Sequence, residues 1–375
     1  MLRLGERACL RRIVVLVGVS LLTLHCESAQ DVAPAELQEL APGFPYASWF
    51  AQHSGFDAVP DDFAAYTMLP VSGTLYLGFG AGLPAAVDGA LLGAFDEQGL
   101  RPLAALDEQG MLDMERAGEV LFIPGVDPCC PDGWEAGNSY TYTPATGLTK
   151  RRTLPNVFHA WGAWHDAATS QVYLATSAHR GDFTGSIGEI WRSTDLGAHW
   201  ERVATDENGV GDYRTYDVFG HRGRLYATSA DSLNSCLLVA QPVVGTEWKP
   251  VFPDEQSACY QRLLSFGDAL IVLDRSRGRL LIVSGQGELV WRELPFTVGL
   301  MTFHWAAVAS DRLYALSDDG RILVTRDLAA WQTVAQADRE FVTIQYWPQR
   351  DWLVLAGRGT GGALWKLRLC GAAPC

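Results

Sequence analysis

The chain has 375 residues and a formal net charge of −14 at pH 7, from 43 acidic and 29 basic side chains. This balance argues against nucleic acid as a partner, because binding to phosphates depends on clustered Lys and Arg. After the N-terminal leader, no apolar stretch approaches the length that a membrane-spanning helix needs, so we predict no membrane span. The acidic residues are scattered along the chain, which predicts a solvated surface.

The N-terminus has the pattern of an export signal. Four arginines precede an apolar run at residues 13–24, and this run is too short to span a bilayer. Cys26 ends the sequence Leu-Thr-Leu-His-Cys, which resembles a bacterial lipobox except that His25 stands where a small residue is expected. Two outcomes stay open: a lipid anchor at Cys26, or soluble secretion after cleavage behind Ser28 or Ala29. Both predict an exported protein, either secreted or periplasmic and anchored to the outer membrane.

A short apolar strand led by a turn residue recurs along the rest of the chain. Successive copies begin about 40 to 53 positions apart, a spacing typical of propeller blades. The copies lie at residues 73–76, 119–122, 170–173, 223–226, 268–271, 311–314 and 351–354. Each copy is interpreted as strand B of a four-stranded blade A–B–C–D, so seven copies predict seven blades. Helical periodicity is nearly absent after the leader, which favours an all-β fold.

One predicted turn carries the most specific motif of the chain. Ser193, Asp195, Gly197 and Trp200 follow the pattern Ser-x-Asp-x-Gly-x-x-Trp between two predicted strands. Asp accepts hydrogen bonds from backbone N–H groups of a turn, Gly tolerates positive φ, and Trp returns to the apolar layer as the next strand begins. A weaker copy contains Asp327 and Trp331.

This pattern resembles the Asp-box of the bacterial neuraminidase repeat propellers, a superfamily that includes sialidases and sortilin-type receptors. The resemblance implies a seven-bladed β-propeller of four-stranded antiparallel blades, in which the Asp-boxes are structural C–D turns. The predicted domains are an export signal at 1–28, a linker at 29–43, the propeller at 44–369 and a Cys-containing tail at 370–375. Because the last blade shows three strands before the chain nearly ends, we predict that residues 44–50 supply its outer strand and close the ring.

The resemblance also sorts the loops. In such a blade the B–C and D–A connections lie on one face of the ring, and here they are longest in blades 1 to 4, so this loop-rich face is the predicted binding site. Residues that enter strand A line the mouth of the central channel on the same face. Together these two groups give the ligand-binding candidates Asp132, Trp134, Glu135, His159, His179, Arg180, Asp182, Asp212, Tyr213, Arg214, Arg262 and His304. For His159 and His304, flanked by aromatic residues, the alternative is a buried core histidine.

An even number of cysteines after the leader predicts disulfides in an exported chain. These six are Cys129, Cys130, Cys236, Cys259, Cys370 and Cys375. On the propeller, Cys236 and Cys259 fall together on the loop-rich face, and Cys370 and Cys375 fit a short tail loop. The pair at 129–130 stays open between a vicinal disulfide and partners that the pattern does not identify. No metal-binding spacing occurs, so we predict neither a metal nor a cofactor.

Two functions fit these features. The favoured one is a monomeric, non-catalytic binding or scaffold protein that holds a glycan or protein partner on the loop-rich face. The alternative is a carbohydrate-active enzyme, either a sialidase-like glycoside hydrolase or a polysaccharide lyase, that uses the same face. A sialidase has an arginine trio and an Arg-Ile-Pro motif. The nearest match here, Arg152-Thr-Leu-Pro, has one residue too many, and the spacing of Arg152, Arg214, Arg262 and Arg358 identifies no trio.

Overall fold

The computed structural model describes residues 35–44, 48, 51–52, 63–80, 90–126, 137–179, 186–205, 213–230, 236–241, 248–251, 260–358, 361–370 and 374. Within these residues β-strands are the main secondary structure, and the helical residues are those at positions 48 and 51–52 and a short 3₁₀ turn at Arg275–Arg277. No helix in this part of the chain is long and apolar enough to cross a membrane.

The described strands form seven four-stranded antiparallel sheets, which we call blades 1 to 7. Blades 1 and 2 contain β2 (Ala64–Val71), β3 (Thr74–Gly80), β4 (Ala90–Asp96), β5 (Gly99–Leu106), β6 (Glu115–Ala117), β7 (Val120–Pro124), β8 (Asn138–Thr143) and β9 (Gly147–Arg152). Blades 3 and 4 contain β10 (Val157–Asp166), β11 (Gln171–His179), β12 (Ser186–Ser193), β13 (Glu201–Ala204), β14 (Arg214–His221), β15 (Arg224–Ala230), β16 (Cys236–Gln241) and β17 (Lys249–Pro250). Blades 5 to 7 contain β18 (Tyr260–Phe266), β19 (Ala269–Asp274), β20 (Arg279–Val283), β21 (Leu289–Glu293), β22 (Ala306–Ala309), β23 (Arg312–Leu316), β24 (Arg321–Thr325), β25 (Gln332–Gln336), β26 (Phe341–Trp347), β27 (Trp352–Gly357), β28 (Leu364–Arg368) and β1 (Gln38–Ala41).

The second strand of each blade coincides with one copy of the sequence repeat, and these strands are apolar because neighbouring sheets cover both of their faces. In β11, every residue from Val172 to Ala178 is buried. The outer strands β9 and β21 contain no buried residue, because one side of each faces solvent. The strength of the repeat in the B strands thus follows from their two-sided burial.

Seven clusters of buried apolar side chains occur in the described part of the chain, and each is shared by two successive blades. Between blades 1 and 2, the rings of Tyr76 and Tyr142 lie 5.9 Å apart. The cluster between blades 7 and 1 brings Trp347 within 6.2 Å of Phe95. Since the last sheet packs on the first, the sheets form a closed ring, which is the architecture of a β-propeller.

An N-terminal strand completes the last blade, as predicted, but the predicted segment was wrong. Strand β1 pairs with β28 through Gln38 and Lys366, so the outer strand comes from the segment predicted as a linker rather than from residues 44–50. Phe44 is instead buried against Phe63 and Phe79, with ring centroids 5.6 and 5.5 Å away. The propeller therefore begins before residue 44, and Phe44 fills the core between blades 7 and 1.

The predicted C–D turn at residues 193–200 connects β12 to β13. The Ser193 hydroxyl accepts hydrogen bonds from the backbone N–H groups of Asp195 (3.2 Å) and Gly197 (2.8 Å), and Gly197 has φ of 85°. Asp195 Oδ1 accepts the backbone N–H of His199 at 2.8 Å. The Trp200 ring packs 5.9 Å from Phe122 of the preceding blade. Local hydrogen bonds therefore hold the turn, and its Trp joins two blades.

Candidate functional site

A cavity of about 260 Å³ opens where the innermost strands of blades 3 and 4 begin. Strand β10 begins where β11 ends, since Val157 pairs with Ala178, so the D–A and B–C connections leave the sheet at one edge. We call this side of the ring the B–C face and this cavity the channel mouth. The channel mouth is lined by Leu112, Trp161, Gly162, Arg214, Tyr216, Asp217, Arg262, Leu300, Met301 and Phe303. The channel mouth thus lies on the face to which the sequence assigned the long loops, and ligand binding on this face stays a prediction.

Backbone bulges direct three of these side chains into the cavity. The innermost strand of blades 3, 4 and 5 has an irregularity in its pairing, and the skipped residues are Trp161, Tyr216 and Arg262. A bulge bends the strand and re-aims the side chain of the extra residue, here towards the centre of the ring. Arg262 has φ of 53°, a conformation uncommon for a non-glycine residue.

The aromatic side chains form one connected wall. The Trp161 and Tyr216 rings are 5.6 Å apart, and the indole Nε1 of Trp161 donates to the Ser177 hydroxyl at 2.8 Å. The Arg214 guanidinium lies 5.5 Å from the centre of Trp161 and 4.6 Å from that of Tyr213. Cation–π contacts of this length hold a guanidinium in place without neutralising it.

A buried ion pair forms the floor of the channel mouth. Arg262 Nη1 donates to Asp113 Oδ1 at 2.5 Å, and Asp113 is almost fully buried. Burial raises the pKa of Asp217 to about 7, and burial together with the charge of Asp113 raises the pKa of Glu115 to about 8. Near neutral pH these two acids are therefore partly or largely protonated, and Arg262 is the partner of Asp113.

Asp113 and Asp217 also link neighbouring blades. Oδ2 of Asp113 accepts the backbone N–H of Ala163 at 2.8 Å, and Oδ2 of Asp217 accepts that of Leu263 at 2.7 Å. The second oxygen of Asp217 accepts the backbone N–H of Val218 at 2.9 Å. Both oxygens of Asp217 are thus occupied by the backbone, which gives this carboxyl group a structural role.

Two predicted ligand-binding histidines are buried instead. His304 is 5% exposed, and its Nε2 donates to the carbonyl oxygen of Leu112 at 3.0 Å. Burial, with the nearby charge of Arg262, holds the pKa of His304 well below its usual value. His159 is 6% exposed, and its ring lies between those of Phe158 and Trp161. Neither histidine lines the channel mouth, so their prediction as ligand contacts is corrected to the alternative of core histidines.

The other predicted candidates divide into three groups. Arg214 and Arg262 line the channel mouth, and Tyr213 lies beside Arg214. His179 lies apart, in a second cavity of about 310 Å³ with Glu189 and Arg202. The candidates that lie outside the described residues are Asp132, Trp134, Glu135, Arg180, Asp182 and Asp212.

Sequence reasoning missed the apolar lining, although part of it had a signal. Trp161 and Tyr216 each stand two positions after a predicted mouth residue, His159 and Arg214, and alternate residues of a strand share a face. Leu300, Met301 and Phe303 precede β22 in irregular structure, where no periodicity identifies them.

The weaker C–D turn resembles the first in its hydrogen bonding. Asp327 Oδ1 accepts the backbone N–H groups of Ala329 and Ala330, both at 2.9 Å, and Trp331 packs 5.0 Å from Phe296. Both C–D turns leave their sheets at the edge opposite the channel mouth, and their purely structural role stays a prediction.

Among the cysteines, Cys370 is disulfide-bonded. Its predicted partner Cys375 lies outside the described residues, as do Cys129, Cys130 and Cys259, and Cys236 is described only as part of β16. No group of three His, Cys, Asp or Glu side chains that could hold a metal is present in the described ranges.

The fold places the chain among β-propeller proteins, and solved structures with the same architecture are found. Virginiamycin B lyase from Staphylococcus aureus, determined in a catalytically inactive form with quinupristin, has a TM-score of 0.61 and 12% identity, over 89% of this chain and 99% of its own. The extracellular domain of the putative hybrid two-component system BT4673 from B. thetaiotaomicron has a TM-score of 0.61 and 12% identity, over 89% of this chain and 43% of its own.

YCF48 bound to D1 peptide has a TM-score of 0.57 and 15% identity, over 91% of this chain and 97% of its own. At these identities the similarity shows the fold alone, and the resemblance to the Asp-box superfamily stays a prediction. No family model and no curated protein sequence matches the chain.

Proposed function

We propose that the protein is an exported, non-catalytic binding or scaffold protein that holds a glycan or protein ligand at the channel mouth. The observation that carries this proposal is the convergence of Trp161, Tyr216, Phe303 and Arg214 on one cavity of the B–C face. Ligand sites are commonly concave and mostly apolar, with a few polar groups that orient the ligand.

The arrangement of the arginines favours binding over a sialidase-like reaction. Of the four arginines considered from sequence, two line the channel mouth, and one of these, Arg262, is paired with Asp113. Arg358 pairs with Glu340 at 3.2 Å, and Arg152 ends the outer strand β9. Of these four arginines, no three therefore surround one point.

The carboxylates support the same conclusion. The lining carboxyl of Asp217 has both oxygens occupied by backbone N–H groups, at 2.9 and 2.7 Å. A general acid or base must exchange a proton with the substrate, and a carboxyl that is fully engaged by backbone donors is poorly placed to do so. A pair of free carboxylates facing each other across the cavity, as glycosidases use, is not present among the described lining residues.

The test is a binding screen of the full chain against a glycan array and a peptide library, with Trp161→Ala as the site variant. Val290→Ala, at an exposed position of the outer strand β21, is the control. We expect binding that Trp161→Ala reduces at least about fivefold, since truncation of an aromatic side chain central to a site costs more than about 1 kcal/mol, while Val290→Ala leaves binding unchanged.

A panel of fluorogenic glycosides tests the alternative enzyme function. Suppose that the protein hydrolyses any of these glycosides, and that Arg214→Ala abolishes this activity without changing the thermal midpoint. This result would refute the binding-only function in favour of the enzyme function.

A further inference from the structure

We infer that the ligand of the channel mouth is an acid with one apolar ring or side chain. Its anionic group pairs with Arg214, and its apolar part enters the cavity. This inference rests on the proposed function and assigns the chemistry of the ligand.

Arg214 carries a charge that no carboxylate among the described residues balances. Its guanidinium contacts the rings of Trp161 and Tyr213. Its buried Nε has no hydrogen-bond partner among the described residues. Arg262, in the same cavity, is paired with Asp113. Arg214 is thus a cation held at the cavity without a described carboxylate partner, a group suited to a carboxylate or another planar oxyanion.

Few polar side chains of the cavity are left for a ligand. Asp217 accepts two backbone N–H groups, the indole N–H of Trp161 is donated to Ser177, and Arg262 is paired with Asp113. Among the described lining side chains, Arg214 and the Tyr216 hydroxyl are therefore the polar groups that remain available. A sugar ring brings several hydroxyls, and most of them would lose water without gaining a partner.

The remaining lining is apolar. Leu112, Leu300, Met301 and Phe303 complete the walls beside the Trp161 ring. A cavity of about 260 Å³ accommodates a group of the size of a single ring rather than a larger ligand. Apolar surface transferred into such a cavity gains free energy in proportion to its area, so the walls select a hydrophobic ring or side chain.

The floor of the cavity is compatible with an anion at its entrance. Asp113 is neutralised by Arg262, and burial raises the pKa of Asp217 to about 7. The anionic group would lie at the rim beside Arg214, which is the first residue of β14, while the apolar part packs between the apolar walls. In this orientation the anionic group of the ligand lies away from the carboxyl groups of Asp113 and Asp217.

The probes are phenylpropionate, its uncharged amide phenylpropionamide, and glucuronate, titrated calorimetrically into the full chain. We expect phenylpropionate to bind at least about tenfold more tightly than the amide, because it adds a charge-assisted hydrogen bond to Arg214. Arg214→Gln should lower the affinity for phenylpropionate to that for the amide and leave the affinity for the amide unchanged. Trp161→Ala should lower the affinity for both compounds. Val290→Ala, at an exposed position of β21, is the control.

A further probe, N-acetylphenylalanine, distinguishes two sources of the same chemistry. If it binds as tightly as phenylpropionate, the cavity accepts the terminal residue of a peptide; if phenylpropionate binds and this probe does not, the ligand is a free small acid. Either result supports the inference.

Three results would overturn it: equal affinity for acid and amide, tighter binding of glucuronate than of phenylpropionate, or acid binding that Arg214→Gln leaves intact. If the small acids do not bind but a glycan or peptide from the screen binds in a Trp161-dependent way, the inference about ligand chemistry is wrong and the proposed binding function stands. If nothing binds in a Trp161-dependent way, both proposals fail.

Discussion

Glu108 lies fully buried between blades 1 and 2, and replacing it with Gln should change how the stability of the protein depends on pH. Its Oε1 accepts hydrogen bonds from Asn138 Nδ2 at 2.7 Å and from the Tyr140 hydroxyl at 2.8 Å. Burial raises the pKa of Glu108 to about 8, although these two hydrogen bonds act in the opposite direction. Near neutral pH the side chain is therefore mostly an uncharged acid, which Gln imitates in shape and charge.

The sign of the effect follows from proton binding. In the unfolded chain a Glu loses its proton near its ordinary pKa of about 4.3, whereas in the folded protein Glu108 keeps its proton up to about pH 8. Between these values the folded state binds more protons, so the free energy of unfolding falls as pH rises. A difference of one bound proton changes the free energy of unfolding by about 1.4 kcal/mol per pH unit. Ionisation of Glu108 alone should therefore lower the free energy of unfolding by about 3 kcal/mol between about pH 5 and about pH 7.

Urea denaturation of wild type and Glu108→Gln, at pH values from about 5 to about 9, measures this difference. We expect the two proteins to be similar near pH 5 and Glu108→Gln to be more stable by several kcal/mol near pH 9. The difference between the variants isolates Glu108 from the other buried acids. Parallel stability curves across the whole range would refute the reasoning, because they would mean that Glu108 titrates alike in the folded and unfolded states.

Two further predictions concern the ion pair and the C–D turn. Arg262→Met should lower the free energy of unfolding by roughly 3–5 kcal/mol, because it leaves the buried Asp113 without its partner. In urea denaturation, Arg262→Met combined with Asp113→Asn should recover part of this loss. No recovery would show that loss of the ion pair is not the cause. Ser193→Ala should lower the free energy of unfolding by about 1–2 kcal/mol, because two backbone N–H groups lose their acceptor. Ligand affinity, measured by calorimetry, should not change. A weaker affinity at unchanged stability would indicate that this turn takes part in ligand binding.

The repeat predicted the strand framework well because it reports local physics. A B strand is buried on both faces, so each copy is an apolar run led by a turn residue, and all seven copies coincide with the second strand of a blade. The turn at Ser193 was equally visible, since its hydrogen bonds join residues within four positions of one another.

The closing strand shows where local reasoning fails. The need for an N-terminal strand followed from a last blade with three strands, but the sequence did not determine which segment supplies it. Residues 38–41 and 44–50 are both partly apolar, and the choice depends on pairing with β28, more than 300 residues away. Phe44, in the segment that was predicted, is buried by Phe63 and Phe79 and not by strand pairing.

The sequence by itself determined the all-β blades, the position of the turn at Ser193 and the face on which Arg214 and Arg262 lie, because these depend on alternation and turn chemistry within one blade. The tertiary structure decided that His304 is a core residue, that Arg262 is paired with Asp113 and that Arg214 is not paired among the described residues. The physical reason is that charge pairing in the channel joins residues of different blades, 149 positions apart for Asp113 and Arg262, and no local pattern encodes such a contact.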